Sequence, residues 1–209
     1  MLTTRYKAAF NRLFDRPAHV LVRLRISPST VTLGGLVLVC ASCVFLLATR
    51  QVVAFCGLVT LATLFDALDG AVARASGRIT KFGSYLDAVC DRYGEAVVAL
   101  SVAVVTGYWM LSIVALVGAF LVSYTKARAA LEVPVSNTEW PDLMERTERH
   151  VLYIVGLAAR QLIAWKPLGH DLFWWTLVIL GVLIHATVIQ RVLRAKRLIA
   201  TRSTTSRSA

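Results

Sequence analysis

Four aspartates, Asp66, Asp69, Asp87 and Asp91, make up a third of the 12 acidic residues of this chain and stand within 26 positions of one another. Asp66 and Asp69 are three residues apart and Asp87 and Asp91 four apart, so each pair lies on one face of a helix and converges on one point. Four carboxylates gathered where water is scarce cannot all stay ionised without a compensating charge, which a bound cation supplies. With oxygen ligands only, and no His or Cys arranged around them, Mg²⁺ or Mn²⁺ is favoured, and four acids suffice for a two-metal site. The alternative, pairing of the acids with Arg74, Arg92 or Lys81, would not by itself require a set of four.

Gly70 and Ala73 continue the face of Asp66 at i+4 and i+7, where small side chains let a bulky ligand approach the helix backbone. Arg74 follows at the aqueous end, where a guanidinium can hold a phosphate through two hydrogen bonds. Small residues also serve helix packing in membranes, and a basic residue at a helix end also serves topology.

The elements that carry these residues are long and apolar. The 209-residue chain is 57% hydrophobic, with a mean hydropathy of +0.65. Windows near 30–49, 52–69, 84–106, 109–131, 150–165 and 172–193 each approach the ~20 residues that span a hydrocarbon core. The expected fold is an all-α integral membrane protein of about six transmembrane helices. With a cytoplasmic N-terminus, 19 of the 23 basic residues fall on the cytoplasmic side, leaving Arg50, Arg160 and Lys166 outside and Arg92 within the third helix. Both termini are therefore expected inside, in the cytoplasmic membrane. The second and third helices form an antiparallel pair whose connection centres near Arg78, and this brings the two aspartate pairs to matching depths. At ~1.5 Å per residue, Asp66 lies roughly 21 Å along its helix and Asp91 roughly 10 Å along the next, in the inner leaflet and open to cytoplasm.

The asymmetry of Lys and Arg accounts for most of the net charge of +11, and no nucleic-acid-binding motif accompanies it. Residues 1–27 alternate basic and apolar positions and are expected to form an interfacial amphipathic helix, interrupted near Pro17, rather than a cleaved signal peptide. Residues 28–198 then form the membrane catalytic domain, and residues 199–209, rich in Ser, Thr and Arg, a disordered tail. Cys40, Cys43, Cys56 and Cys90 all fall within apolar segments and read as packing residues.

Asp66-x2-Asp69-Gly70-x2-Ala73-Arg74-x8-Gly83-x3-Asp87-x3-Asp91 resembles, at every fixed position and spacer, the signature of the CDP-alcohol phosphotransferase family. The resemblance implies transfer of a phosphatidyl-type group from a CDP-linked lipid such as CDP-diacylglycerol to an alcohol, with release of CMP. It implies two divalent metals held by Asp66, Asp69, Asp87 and Asp91, with Asp91 also the general base. It further implies a CDP-lipid pocket of Gly70, Ala73, Arg74, Thr80 and Gly83, joined by Ser29 and Thr32 of SPSTVT, and a homodimeric assembly. Ser29 stands where relatives often have Asp or Asn, and it is equally suited to capping the first membrane helix.

Lys126 and Arg128 in SYTKARA, Arg146 and Arg149 in MERTER, and Arg191 in QRVLR lie at expected cytoplasmic helix ends. Five cations exceed what a neutral acceptor requires and suit one carrying its own phosphate. SYTKARA and the ER-x-ER pattern are similar to the phosphatidylinositol phosphate synthases of the family and their archaeal counterparts, which implies inositol 1-phosphate as the phosphorylated alcohol acceptor. The competing expectations are a phosphatidylglycerophosphate synthase or another acceptor within the class and, outside it, a divalent-cation transporter.

Overall fold

The computed structural model describes residues 14–133, 143, 144 and 146–205, without the side chains of 66, 67 and 202–205. Among the described residues there is no strand. Seven helices follow one another: α1 (14–23), α2 (Pro28–Thr49), α3 (Val52–Ala75), α4 (Lys81–Thr106), α5 (Trp109–Glu132), α6 (Arg146–Leu162) and α7 (Leu172–Thr205), with a short 3-10 turn at Pro167–Gly169. Helices α2 to α7 coincide with the six apolar windows. Four of them, α2, α3, α5 and the stretch Leu172–Thr201 of α7, are long and apolar enough to cross a bilayer. Helix α4 has the length, at 26 residues, but carries Lys81, Asp87, Asp91, Arg92 and Glu95 in its first part, and α6 has only 17 residues with Arg146, Glu148 and Arg149 in its first turn.

The chain divides into two compact units, Met1–Val105 and Thr106–Ala209. In the first, α2 packs along α3. Helix α1 is two-faced: Phe14 and Ala18, four apart, are buried with Val31 of α2 and with Ala71 and Val72 of α3, while Asp15, Arg16, His19 and Arg23 are exposed. The part of the expected amphipathic helix before residue 14 lies outside the described residues. Helix α1 ends where Arg25 adopts a left-handed conformation (φ 57°), with the Arg25 N–H bonded to Val22 O (2.9 Å) and the Ile26 N–H to Leu21 O (3.1 Å). These are the paired bonds of a Schellman end. Helix α2 starts three residues after Arg25, at Pro28, whose fixed φ suits a first turn.

In the second unit, α5 and α6 both pack on α7. Glycines allow the close approach. A Cβ at Gly118 would meet Ile184 and His185 of α7, and a Cβ at Gly156 of α6 would collide with the Thr176 side chain of α7. Association of apolar helices in lipid depends on such backbone approach, because lipid tails are as apolar as leucine. One end of the unit is tied by a polar cluster. Asp171 accepts from the Tyr108 hydroxyl (2.8 Å), from Arg160 Nε (2.7 Å) and from the Trp174 N–H (2.9 Å), the last bond capping α7, while the Arg160 guanidinium lies 5.5 Å from the Tyr108 ring centre.

Two expectations are revised. Helix α7 continues to Thr205, so residues 199–205 are helical rather than disordered, and 206–209 lie outside the described residues. Lys and Arg are good helix formers and favourable near a helix C-terminus, and the Thr201 hydroxyl bonds back to Arg197 O (2.9 Å). The cap of α2 is Ser27 rather than Ser29: its hydroxyl accepts from the Thr30 N–H (3.1 Å), and Ser29 is already inside the helix. The four cysteines are free thiols, with Cys43, Cys56 and Cys90 buried, in keeping with a packing role.

Replacing Gly156 by Ala is expected to lower the apparent unfolding temperature of the detergent-solubilised protein, by the equivalent of about 1–3 kcal/mol of overpacking. Gly57→Ala in α3, where an added Cβ meets nothing within 4 Å, should leave it unchanged or slightly higher. Equal behaviour of the two variants would contradict the packing described for α6 on α7.

Candidate active site

Asp69 is placed by a contact between α2 and α3. The buried Thr32 hydroxyl donates to Asp69 Oδ2 at 2.6 Å, and its oxygen also lies 3.2 Å from Pro28 O, one turn earlier in α2. The SPSTVT segment therefore reaches the aspartate motif directly, through the residue that opens the second turn of α2. A charge-assisted O–H to carboxylate bond of this length is at the strong end of side-chain hydrogen bonds. Thr32 is expected from the resemblance at the CDP-lipid, and its contact with Asp69 is not legible in the sequence because the two residues are 37 positions apart.

The turn after α3 brings the second aspartate pair back. Gly77 has φ 65°, the Gly77 N–H bonds to Arg74 O (3.3 Å) and the Arg78 N–H to Ala73 O (3.1 Å), so α3 also closes with a Schellman end. Thr80 then caps α4 by accepting the Gly83 N–H at 2.9 Å. The turn is centred at Arg78, as the spacing of the aspartates predicts. Thr80 and Gly83, both expected in the nucleotide pocket, thus touch each other at the start of α4. A Cβ on Gly83 would stand 3.0 Å from the Thr80 hydroxyl, and one on Gly70 would stand 3.3 Å from Arg74 Nη1, so Arg74 folds back over Gly70 on the same face of α3.

Asp69, Asp87 and Asp91 are each half-buried. Asp66 lies on α3 one turn before Asp69, with its side chain outside the described residues. Among the described residues no three His, Cys, Asp or Glu side chains converge closely enough to hold a metal ion. The donors of Asp69, Asp87 and Asp91 are nonetheless of one kind, anionic oxygen, which fits a hard divalent cation and no soft one. Arg92, one candidate partner for the motif acids, pairs with Glu95 at 2.8 Å.

In the second unit a cavity of about 450 Å³ is lined by Val122, Ser123, Lys126, Ala127 and Ala130 of α5, by Met144 just before α6, by Arg146 and Arg149 of α6, and by Arg191 of α7. Four of the five cations singled out from sequence meet here. Arg149 and Arg191 are buried, and Arg191 Nη1 donates to Val122 O across the α5–α7 contact. The fifth cation, Arg128, does not line the cavity and pairs with Glu132 one turn on, at 2.7 Å. The reason is helical geometry: Ser123, Lys126, Ala127 and Ala130 follow the i+3, i+4 spacing of one face, and Arg128 stands roughly 200° round from Lys126. That face makes Ser123 a lining residue which sequence reading passed over, although its spacing from Lys126 carried the signal. No acidic side chain is among the described lining residues, so the cavity is electrostatically suited to an anion.

Comparison with known proteins shows the family. The family model for CDP-alcohol phosphatidyltransferase matches residues 25–183. The chain is 31% identical over 186 residues to the archaetidylinositol phosphate synthase of Pyrococcus horikoshii, covering 88% of this chain and 90% of that protein. It is 31% identical over 190 residues to the phosphatidylinositol phosphate synthase of Corynebacterium glutamicum, covering 85% and 81%. Among solved structures, the phosphatidylinositol phosphate synthase of Mycobacterium tuberculosis with CDP-DAG bound superposes with a TM-score of 0.77 at 27% identity, over 88% of this chain and 94% of that one. The same enzyme in complex with manganese and citrate gives a TM-score of 0.77 over 87% and 88%. With the aspartate signature complete, its turn and cap formed, and the match extending over most of the chain, this protein belongs to the CDP-alcohol phosphatidyltransferase family of phospholipid-synthesising enzymes.

Proposed function

We propose that this enzyme transfers the phosphatidyl group of CDP-diacylglycerol to inositol 1-phosphate, giving phosphatidylinositol phosphate and CMP. The observation that carries the choice of acceptor is the cavity with Lys126, Arg146, Arg149 and Arg191 in its wall and no acidic side chain among its described lining residues. A phosphate monoester offers this cationic wall anionic oxygens that a neutral alcohol lacks, and Arg binds phosphate with two parallel hydrogen bonds. Arg128 is left out of this set because it pairs with Glu132.

Asp66, Asp69, Asp87 and Asp91 would hold two divalent cations, Mg²⁺ or Mn²⁺, which when bound offset the negative charge of the pyrophosphate. Asp91 accepts the proton of the acceptor hydroxyl. The hydroxyl oxygen then bonds to the lipid-bearing phosphorus, the phosphoanhydride bond to the nucleotide breaks, and CMP leaves with the electron pair. Gly70 and Ala73 leave room for the nucleotide beside α3, Arg74 supplies a phosphate contact, and Ser29, Thr32, Thr80 and Gly83 complete that side. Thr32 does so by holding Asp69. The enzyme sits in the cytoplasmic membrane with six spans and both termini inside, as the distribution of Lys and Arg supports, and works as a homodimer.

The reading is tested by CMP release from purified protein given CDP-diacylglycerol and Mg²⁺ or Mn²⁺. Release with inositol 1-phosphate and not with glycerol 3-phosphate, inositol or serine is expected; release with glycerol 3-phosphate alone would keep the reaction and replace the product. Asp91→Asn should abolish turnover while the protein still elutes as a single folded species, and normal CMP release would remove its role as base. Thr32→Val should lower kcat/KM about tenfold, as expected for loss of a hydrogen bond to a charged group, with Thr32→Ser close to wild type. Arg149→Gln should raise KM for inositol 1-phosphate about ten- to a hundredfold with little change in KM for CDP-diacylglycerol; an equal rise in both would deny it a place at the acceptor.

A further inference from the structure

Two consecutive residues of α7 each hold the main chain of a different neighbour. Arg191 donates to Val122 O of α5. Gln190, half-buried, accepts the N–H of Leu143 through Oε1 at 3.0 Å, in the segment that leads into α6. Leu143 itself is exposed, but Met144 next to it is buried against Val122, Leu180 and Ile184 and forms part of the cavity wall. Arg146 and Arg149 follow in the first turn of α6, on one face of it. The entry to α6 is therefore pinned at two adjacent points, by a hydrogen bond at Leu143 and by burial at Met144, directly before the two arginines that line the cavity.

We propose that Gln190 is a positioning residue for the acceptor pocket, fixing through Leu143 the place from which α6 presents Arg146 and Arg149; this rests on the reading of the cavity as the acceptor-phosphate site. Gln190 touches no reacting group in this scheme. Its carbonyl is the right partner because a main-chain N–H next to a helix start needs an acceptor, and an amide oxygen provides one without adding negative charge beside a cavity built for an anion. A displacement of about 1 Å at a phosphate-binding guanidinium is enough to weaken a two-bond contact.

The test compares wild type with Gln190→Leu, which keeps the side-chain bulk and removes the acceptor, in two independent readouts. In hydrogen–deuterium exchange, the peptide containing Leu143 is expected to exchange about five- to tenfold faster in the variant, with α5 and the rest of α7 unchanged, as suits loss of one ordinary hydrogen bond. In CMP release, KM for inositol 1-phosphate should rise about five- to tenfold, with kcat and KM for CDP-diacylglycerol within about twofold of wild type. Faster exchange with an unchanged acceptor KM would overturn the positioning role, leaving a purely structural bond, and unchanged exchange would overturn the anchor itself. A uniform loss in all kinetic parameters would also overturn it. If wild type uses only an unphosphorylated acceptor, the pocket assignment falls and the positioning role with it, and the exchange result still reports whether Gln190 anchors Leu143.

Discussion

Half-buried carboxylates on long helices are the costliest feature of the first unit, which is organised around keeping them in place. An ionised group moved from water into a low-dielectric region loses several kcal/mol of solvation unless it is paired, hydrogen-bonded or coordinated. Asp69 meets that requirement partly through Thr32, a hydroxyl delivered from another helix at 2.6 Å. The arrangement depends on where α2 begins. The Schellman end of α1 at Arg25, the Ser27 cap and Pro28 in the first turn together set the register in which Thr32 faces α3.

The two faces of α3 divide the work. Phe65, Leu68, Ala71 and Val72 belong to the cluster that also takes Phe14 and Ala18 of α1, so this side of the helix is packed. Asp66, Asp69, Gly70 and Ala73 lie on the other side, where the small residues leave the backbone approachable and Arg74 folds back toward Gly70. Gly77 ends the helix because a left-handed residue is needed there, and Thr80 starts the next one. The aspartates of α4 thus return along the chain a short distance after those of α3.

The second unit solves the opposite charge problem. Four cations surround one cavity, two of them buried, and the wall that carries them comes from three helices. Glycine contacts at Gly118 and Gly156 bring α5 and α6 close to α7. The cluster of Tyr108, Arg160 and Asp171 ties the ends at which α5 and α7 begin, while Gln190 and Arg191 tie the end at which the cavity lies. Because both ends are held through hydrogen bonds to defined groups, the cationic side chains are presented from a framework rather than from loose helix ends.

Sequence alone determined the helical class, the six apolar segments, the turn near Arg78 and the aspartate signature that marks the family. All of these follow from local periodicity, from the distribution of charge and from residues within 26 positions of one another. It also singled out the cations that meet in the cavity, because charges in excess of topology and a recognisable local pattern mark them. What it did not contain were relations between distant residues: Thr32 with Asp69 and Gln190 with Leu143. Ser27 rather than Ser29 as the cap, and helix rather than coil from residue 199 to 205, were decided by which local bonds actually close. The tertiary structure settles such questions because a hydrogen bond of 2.6 to 3.0 Å requires two segments to adopt one register, and a linear pattern of residue types specifies each segment but not the register between them.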